Sequence, residues 1–283
     1  MGKDRRTWLL LVLAAVTACG AVMAAPQAAV GSRTPEPTAA VGSRTPEPTA
    51  AVGSRTPEPT WAPDAGYPLI FDDEFNGTTL GSDWTPGWLG AGITGPVNSM
   101  EIAAYSSANV TERGGTLNLT LARTPVTSGR GTYPYTGALV TTMGHFTFTY
   151  GYVEWRAYLP ESAGGLVADW PALWADGTGT WPSTGEMDVM EGLDGNAAGH
   201  FISPSGSVRV GTTAPMYGWH TFGAAWQQGT VTYYYDGQMV GTITKGITDA
   251  PMFLVMDNTI AATSPSASSY PAVMRVDWVR VWS

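Results

Sequence analysis

Three acids stand within six positions of the stretch GEMDVMEG (185–192): Glu186, Asp188 and Glu191. The chain as a whole is only 13% charged, so this crowding asks for a chemical reason. Two carboxyl groups flanking a glycosidic bond can cleave it, one attacking the anomeric carbon and the other protonating the leaving oxygen. Acids this close cannot all ionise cheaply, so at least one is expected to keep its proton near neutral pH. On that chemistry Glu186 is the nucleophile, and Glu191 is the general acid and then the base. Asp188 lies between them and is expected to hydrogen-bond Glu186 and orient it. A solvated acidic face fits poorly, because Met187, Val189 and Met190 make the run half apolar. A calcium loop would place Asp and Asn at alternate positions around a glycine turn, and the match is poor.

The spacing of the acids says which element must carry them. On a helix Glu186 and Asp188 would lie about 200° apart and could not share a face. On a regular strand those two share a face and Glu191 points the other way. One extra residue, a β-bulge, returns Glu191 to the same side. The stretch is therefore expected to be a bulged strand with Met187 and Val189 directed into a core behind it. Four effective strand steps separate the two Glu backbones by roughly 13 Å. Inward-leaning side chains on a concave sheet can bring the carboxyls to about 5.5 Å, the spacing of a retaining rather than an inverting glycosidase.

The rest of the chain from Tyr67 reads the same way, as short alternating runs broken by Gly, Asn, Pro and Ser. GTLNLTLAR (115–123), HFTFTYGYVEWRAYL (145–159), VTYYYDGQMVGTI (231–243) and VMRVDWVRVW (273–282) alternate with period two. Asp236-Gly237 suits a type I′ hairpin turn. No 12-residue window there has helical periodicity. The expected fold is all-β, a sandwich or jelly roll of two curved antiparallel sheets with a concave substrate cleft.

Composition bounds the partners. From Trp61 onward 19 acids face 8 bases, a net of −11, which argues against nucleic acid or an anionic membrane and favours a neutral substrate. The same region holds 11 of the 12 Trp residues, suited either to a core or to platforms on which sugar rings stack. Residues 1–24 read as an export signal, with a basic start and the apolar run WLLLVLAAVTA, too short to span a bilayer. The only cysteine, Cys19, resembles the lipid-attachment residue of a bacterial lipobox; ordinary cleavage after Ala24 would instead remove it. No disulfide can form within the chain. Residues 25–60, with three copies of AAVGSRTPEPT, suit a Pro/Thr-rich linker or stalk. That leaves residues 61–283 as one catalytic domain, expected to be a monomer that is secreted or tethered at the outer cell surface.

Several ordered motifs then carry a family resemblance over nearly the whole domain. GEMDVMEG resembles the bulged Glu-x-Asp-x-x-Glu pattern of glycoside hydrolase family 16. FDDEFNGTTL (71–80), NSMEIAAYSSANV (98–110), FTYGYVEWRAYLP (148–160), DWPALWADG (169–177), WPSTGE (181–186), GWHTFGAAW (218–226), YYYDGQ (233–238) and VDWVRVW (276–282) follow in the family's order. The resemblance implies a β-jelly roll and, with Met190 as the extra residue, the laminarinase-like branch. It implies that Glu186, Asp188 and Glu191 are nucleophile, assistant and acid/base. Trp181 would stack on the sugar near the cleavage point, and Asn98 and Glu101 would hydrogen-bond its hydroxyls. Trp170 and Trp174 share a strand face and would line the cleft or fill the sheet core, and His200 would be a cleft donor. His145 and His220 are expected to be structural. No cofactor is needed for catalysis; a structural calcium ion would take Glu74, the Gly115 carbonyl and Asp277.

Two departures stand out: Asp257 in PMFLVMDN (251–258) where the family usually has Asn, and an unplaced segment between Leu193 and Thr213. The activity implied is a retaining endo-hydrolase of β-1,3- or mixed β-1,3-1,4-glucan. Alternatives on the same fold are an agar-type galactan hydrolase, a glucan transglycosylase, and a non-catalytic glucan-binding module, which the retained acids disfavour.

Overall fold

The computed structural model describes residues 67–283 except Leu89, Ala91 and Arg130. The expected export signal, Cys19 and the repeats lie outside the described residues. Among the described residues the strands of a two-sheet sandwich follow in chain order: β1 (Leu69–Asp73), β2 (Thr85–Pro86), β3 (Ile93–Thr94), β4 (Ala103–Ser106), β5 (Val110–Arg113) and β6 (Thr116–Leu121), then, after the small hairpin β7 (Val126–Ser128) and β8 (Gly131–Tyr133), β9 (Tyr135–Thr141), β10 (Gly151–Leu159), β11 (Trp170–Gly177) and β12 (Glu186–Glu191), followed by β13 (Ala198–Ser203), β14 (Gly206–Gly211), β15 (Gly218–Gln227) and β16 (Thr230–Tyr235). With β17 (Gln238–Ile243), β18 (Met252–Thr259) and β19 (Ala272–Trp282) they complete the domain. Among the described residues the helical content is one 3-10 turn, Ser107–Asn109.

One sheet runs β17-β16-β15-β10-β19-β6-β5 with β1 added on β19; the other runs β14-β13-β12-β11-β18-β9-β4-β3 with β2 added on β9. Pairing is antiparallel except for β4 against β9, which is parallel. The expected jelly-roll sandwich is thus present, with one parallel neighbour that alternation alone does not reveal. The core lies between the sheets. Leu173 and Ala175 of β11, Met187 and Val189 of β12, and Leu254 and Met256 of β18 enter it from one side. Val153, Trp155, Phe222, Trp226, Val279 and Val281 meet them from the other. The opposite faces of β11 and β18 carry Trp170, Trp174, Asp257 and Thr259, which line a cleft. Period two therefore sorts each strand into a core face and a cleft face.

One strand expectation needs correction. HFTFTYGYVEWRAYL is strand only from Gly151, because Tyr150 and Gly151 have φ of 62° and 112° and break the run. A Cβ at Gly151 would sit 2.1 Å from the carbonyl oxygen of Trp282, so the close approach of β19 requires glycine there. The hairpin β16–β17 turns as expected, with Asp236 and Gly237 at φ 45° and 73°.

Candidate active site

The bulge in β12 is real, and it sits where the acids need it. On the β11 side Asp188 pairs with Trp174 and Met190 with Leu173, so Val189 has no residue opposite it. On the β13 side Asp188 pairs with His200 and Glu191 with Ala198, leaving Val189 and Met190 against Gly199 alone. The extra residue is thus shared between Val189 and Met190 rather than being Met190 by itself. Both are buried in the core with Met187. The neighbouring sheet holds this distortion: the hydroxyls of Tyr233 and Tyr235 donate to the carbonyls of His200 (2.7 Å) and Val189 (3.0 Å). A Cβ on Gly199 would meet the Tyr233 ring at 2.6 Å, so the tyrosine reaches the bulge only past a glycine.

As a result Glu186, Asp188 and Glu191 line one cleft, together with Val97, Asn98, Glu101, Tyr105, Trp170, Ala172, Trp174, Asp257 and Thr259. Each catalytic candidate has its own surroundings. Glu186 accepts from the indole N–H of Trp181 (Nε1 to Oε2, 2.5 Å). Glu191 accepts from the indole of Trp170 (Nε1 to Oε1, 2.8 Å), and His200 Nδ1 lies 3.0 Å from its Oε2. Asp188 is buried, and desolvation followed by the charges of Glu186, Glu191, Asp176 and Asp257 pushes its carboxyl well above the usual range. Its surroundings therefore favour the protonated form of Asp188, and a protonated carboxyl between two glutamates can donate to one of them.

The substrate-side expectations are brought together as well. Asn98 donates its backbone N–H and its amide to Glu101 Oε1 at 3.2 and 3.1 Å. Burial raises the Glu101 carboxyl to about 7. Trp170 and Trp174 are both cleft wall and buried: 6% and 5% exposed, with each indole N–H aimed at a cleft carboxyl. His200 meets Glu191 and, at 3.9 Å, Asp188. His145 (to Thr85) and His220 (to Asp236 and Tyr217) hydrogen-bond outside the cleft, as structural residues do.

The calcium expectation does not fit. Glu74 accepts from Arg280 at 2.9 and 2.8 Å, and Asp277, at a bulge in β19, pairs with Arg156 at 2.6 Å. Each carboxylate is thus neutralised by its own guanidinium, and Gly115 lies in the β5–β6 turn beside Asn76. We derive no role for calcium there. Among the described residues one group of three His, Asp or Glu donors converges within 4.8 Å, namely Asp188, Glu191 and His200, and the cleavage chemistry already accounts for its two acids.

Sequence reasoning missed Tyr105 and Thr259 in the cleft wall, Trp88 stacked on Trp174 (5.6 Å, 11°), and the two tyrosines under the bulge. The alternating YYY of β16 puts Tyr233 and Tyr235 on one face, but nothing local says that face meets β12.

Comparison with known proteins agrees with this geometry. Residues 98–280 match the family model described as Glycosyl hydrolases family 16. The chain is 29% identical over 275 residues to Glucan endo-1,3-beta-glucosidase A1 of Niallia circulans, covering 77% of this chain and 38% of that protein. It is 28% identical over 239 residues to Endo-1,3-1,4-beta-glycanase EglC of Rhizobium meliloti, covering 79% and 46%. This chain therefore spans less than half the length of these two relatives. The solved endo-beta-1,3-glucanase of Pyrococcus furiosus superposes with a TM-score of 0.65 at 26% identity, over 77% of this chain and 94% of that one.

Proposed function

The chain belongs to glycosyl hydrolase family 16, and from that premise we propose that it is a retaining endo-glycosidase acting on β-1,3- or mixed β-1,3-1,4-glucan. The observation that carries the reading is the bulged β12, which sets three carboxyl groups of different surroundings in one cleft. Glu186 attacks the anomeric carbon, with the Trp181 indole fixing the rotamer of the attacking carboxylate. Protonated Asp188 supports it by offering a proton rather than a second charge. Glu191, held by the Trp170 indole with His200 Nδ1 3.0 Å away, protonates the leaving oxygen, then takes a proton from the water that releases the sugar. Among the described residues the cleft lining holds no lysine or arginine, which suits a neutral polymer. The relatives named for 1,3- and 1,3-1,4-linkages support the glucan assignment.

The same reading extends to place. The export signal, the PEPT repeats and Cys19 suit a monomeric enzyme held off the outer surface of the cell by a lipid and a stalk. Cys19→Ala would then shift the protein from the membrane fraction to the medium; unchanged partitioning would leave plain secretion.

Product analysis of the whole chain on laminarin, lichenan, cellulose and agarose tests the activity. Oligosaccharides from laminarin, with or without lichenan, are expected. Cleavage of agarose alone would move the substrate to galactans, and no release from any of them would reject hydrolysis.

A further inference from the structure

Two acids in the cleft wall have no part in the cleavage chemistry. Asp257, 4% exposed, gives Oδ1 to the indole N–H of Trp174 at 2.7 Å. Its Oδ2 has only a long contact, 3.5 Å, with the Tyr105 hydroxyl. Glu101 is divided in the same manner: Oε1 takes both Asn98 donors, and Oε2 lies 3.5 Å from Thr259. Both side chains line the cleft that holds the triad.

The ionisable groups facing Asp257 are Glu101 and Tyr105 from the β4 side and Asp188 and Glu191 from β12. Its ladder partners, Ala172 on β11 and Leu139 on β9, do not ionise. A charge on Asp257 would face acids and a phenol, with no lysine or arginine among the described residues of the cleft lining to offset it. Trp174 commits Oδ1 as an acceptor, so a proton held by this carboxyl sits on Oδ2. A neutral carboxyl so arranged accepts on one oxygen and donates from the other, as a carboxamide does.

We propose that Asp257 binds the substrate as a neutral acid, donating a hydrogen bond from Oδ2 to an oxygen of the sugar beside the triad, and that its ionisation weakens binding rather than the chemical step. The proposal rests on the glucanase reading of the same cleft. Desolvation, then the charge of Glu101, holds the Asp257 carboxyl well above the usual carboxylate range. That shift favours the protonated form, and losing the proton replaces a donor with a buried negative charge. The ligand this wall takes is a neutral glycan with an acceptor oxygen at that position. A sulfate or carboxylate there would meet Glu101 and Asp257, with no cation among the described lining residues.

The test is the pH dependence of KM on soluble laminarin, from about pH 5 to about pH 9, for the parent chain and for Asp257→Asn. The parent KM is expected to rise about tenfold across the upper part of the range, the loss of one hydrogen bond from the neutral carboxyl. In Asp257→Asn the amide cannot ionise, and the rise in KM is smaller, leaving only what Glu101 contributes as it titrates at about 7. An equal rise in both, or a flat KM in the parent, overturns the proposal. Glu101→Gln supplies a second variant: without the Glu101 charge Asp257 ionises more readily, so the rise in KM moves to lower pH, and no movement counts against the pair. Should Asp257→Asn fail to fold, infrared spectra of Asp188→Asn, which lacks the other strongly raised carboxyl of the cleft, decide: a protonated-carboxyl band surviving above neutral pH supports the proposal, and its absence overturns it. A parent that cleaves no β-glucan overturns the glucanase reading and this one with it, whereas a parent that cleaves glucan with a flat KM overturns this one alone.

Discussion

At the scale of single residues, three carboxyl groups within one strand are told apart by what touches them. Glu186 and Glu191 each accept from a tryptophan, whereas Asp188 is buried among other acids. Glu186→Gln keeps the shape and the Trp181 neighbour but removes the nucleophile, so kcat should fall on the order of 10⁴-fold or more with the fold intact; near-parent turnover would reject the assignment. Trp170→Phe deletes the indole donor to Glu191 and keeps an aromatic wall. A hydrogen bond to a charged group contributes about 1.5–3 kcal/mol, so kcat should drop about 10- to 100-fold with KM little changed. For Glu191→Ala, added azide should restore turnover of a substrate with an activated leaving group and yield a β-glycosyl azide. No azide product would remove Glu191 from the acid/base role.

At the scale of elements, the bulge in β12 decides which face Glu191 occupies. Its spacing was legible because strand geometry with period two leaves few ways to bring positions 186, 188 and 191 to one side. Asn98, Glu101, Trp170 and Trp174 were also placed in the cleft from sequence. Asp257 was noticed as a departure, but its link to Trp174 and Tyr105 joins residues 83 and 152 positions apart, and no local pattern encodes that. The same holds for Tyr233 and Tyr235, which reach the bulge from the other sheet. The run 145–159 was misread as one strand because alternation does not show that Tyr150 adopts a positive φ. The calcium ligands were carried over by resemblance, and their arginine partners, Arg280 and Arg156, lie on strands whose pairing the sequence alone does not give. Deleting Met190 should make β12 regular and turn Glu191 away from the cleft. Activity should then fall at least as far as in Glu191→Ala, while circular dichroism still reports strands. Retained activity would mean the bulge does not place the acid.

At the scale of the whole molecule, buried acids in the cleft and beyond it make stability depend on pH. Burial raises Glu101 from 4.5 to about 7 and Asp169 from 3.8 to about 6. The folded state holds these protons more tightly than the unfolded chain does. Their contribution is therefore full below the unfolded values and is lost as pH rises through about 6 and then about 7. The melting temperature should decline over that window, and Glu101→Gln should flatten the upper part of the slope. A melting temperature that rises through the same window would contradict the burial of these acids as protonated groups.

The most direct test of the central claim, that the bulged strand supplies a covalent nucleophile, is mass spectrometry of the protein after reaction with an activated 2-deoxy-2-fluoro-β-glucosyl oligosaccharide. Peptide mapping should find the fluorosugar attached to Glu186. Attachment to another carboxylate, or hydrolysis with inversion and no trapped sugar, would contradict it.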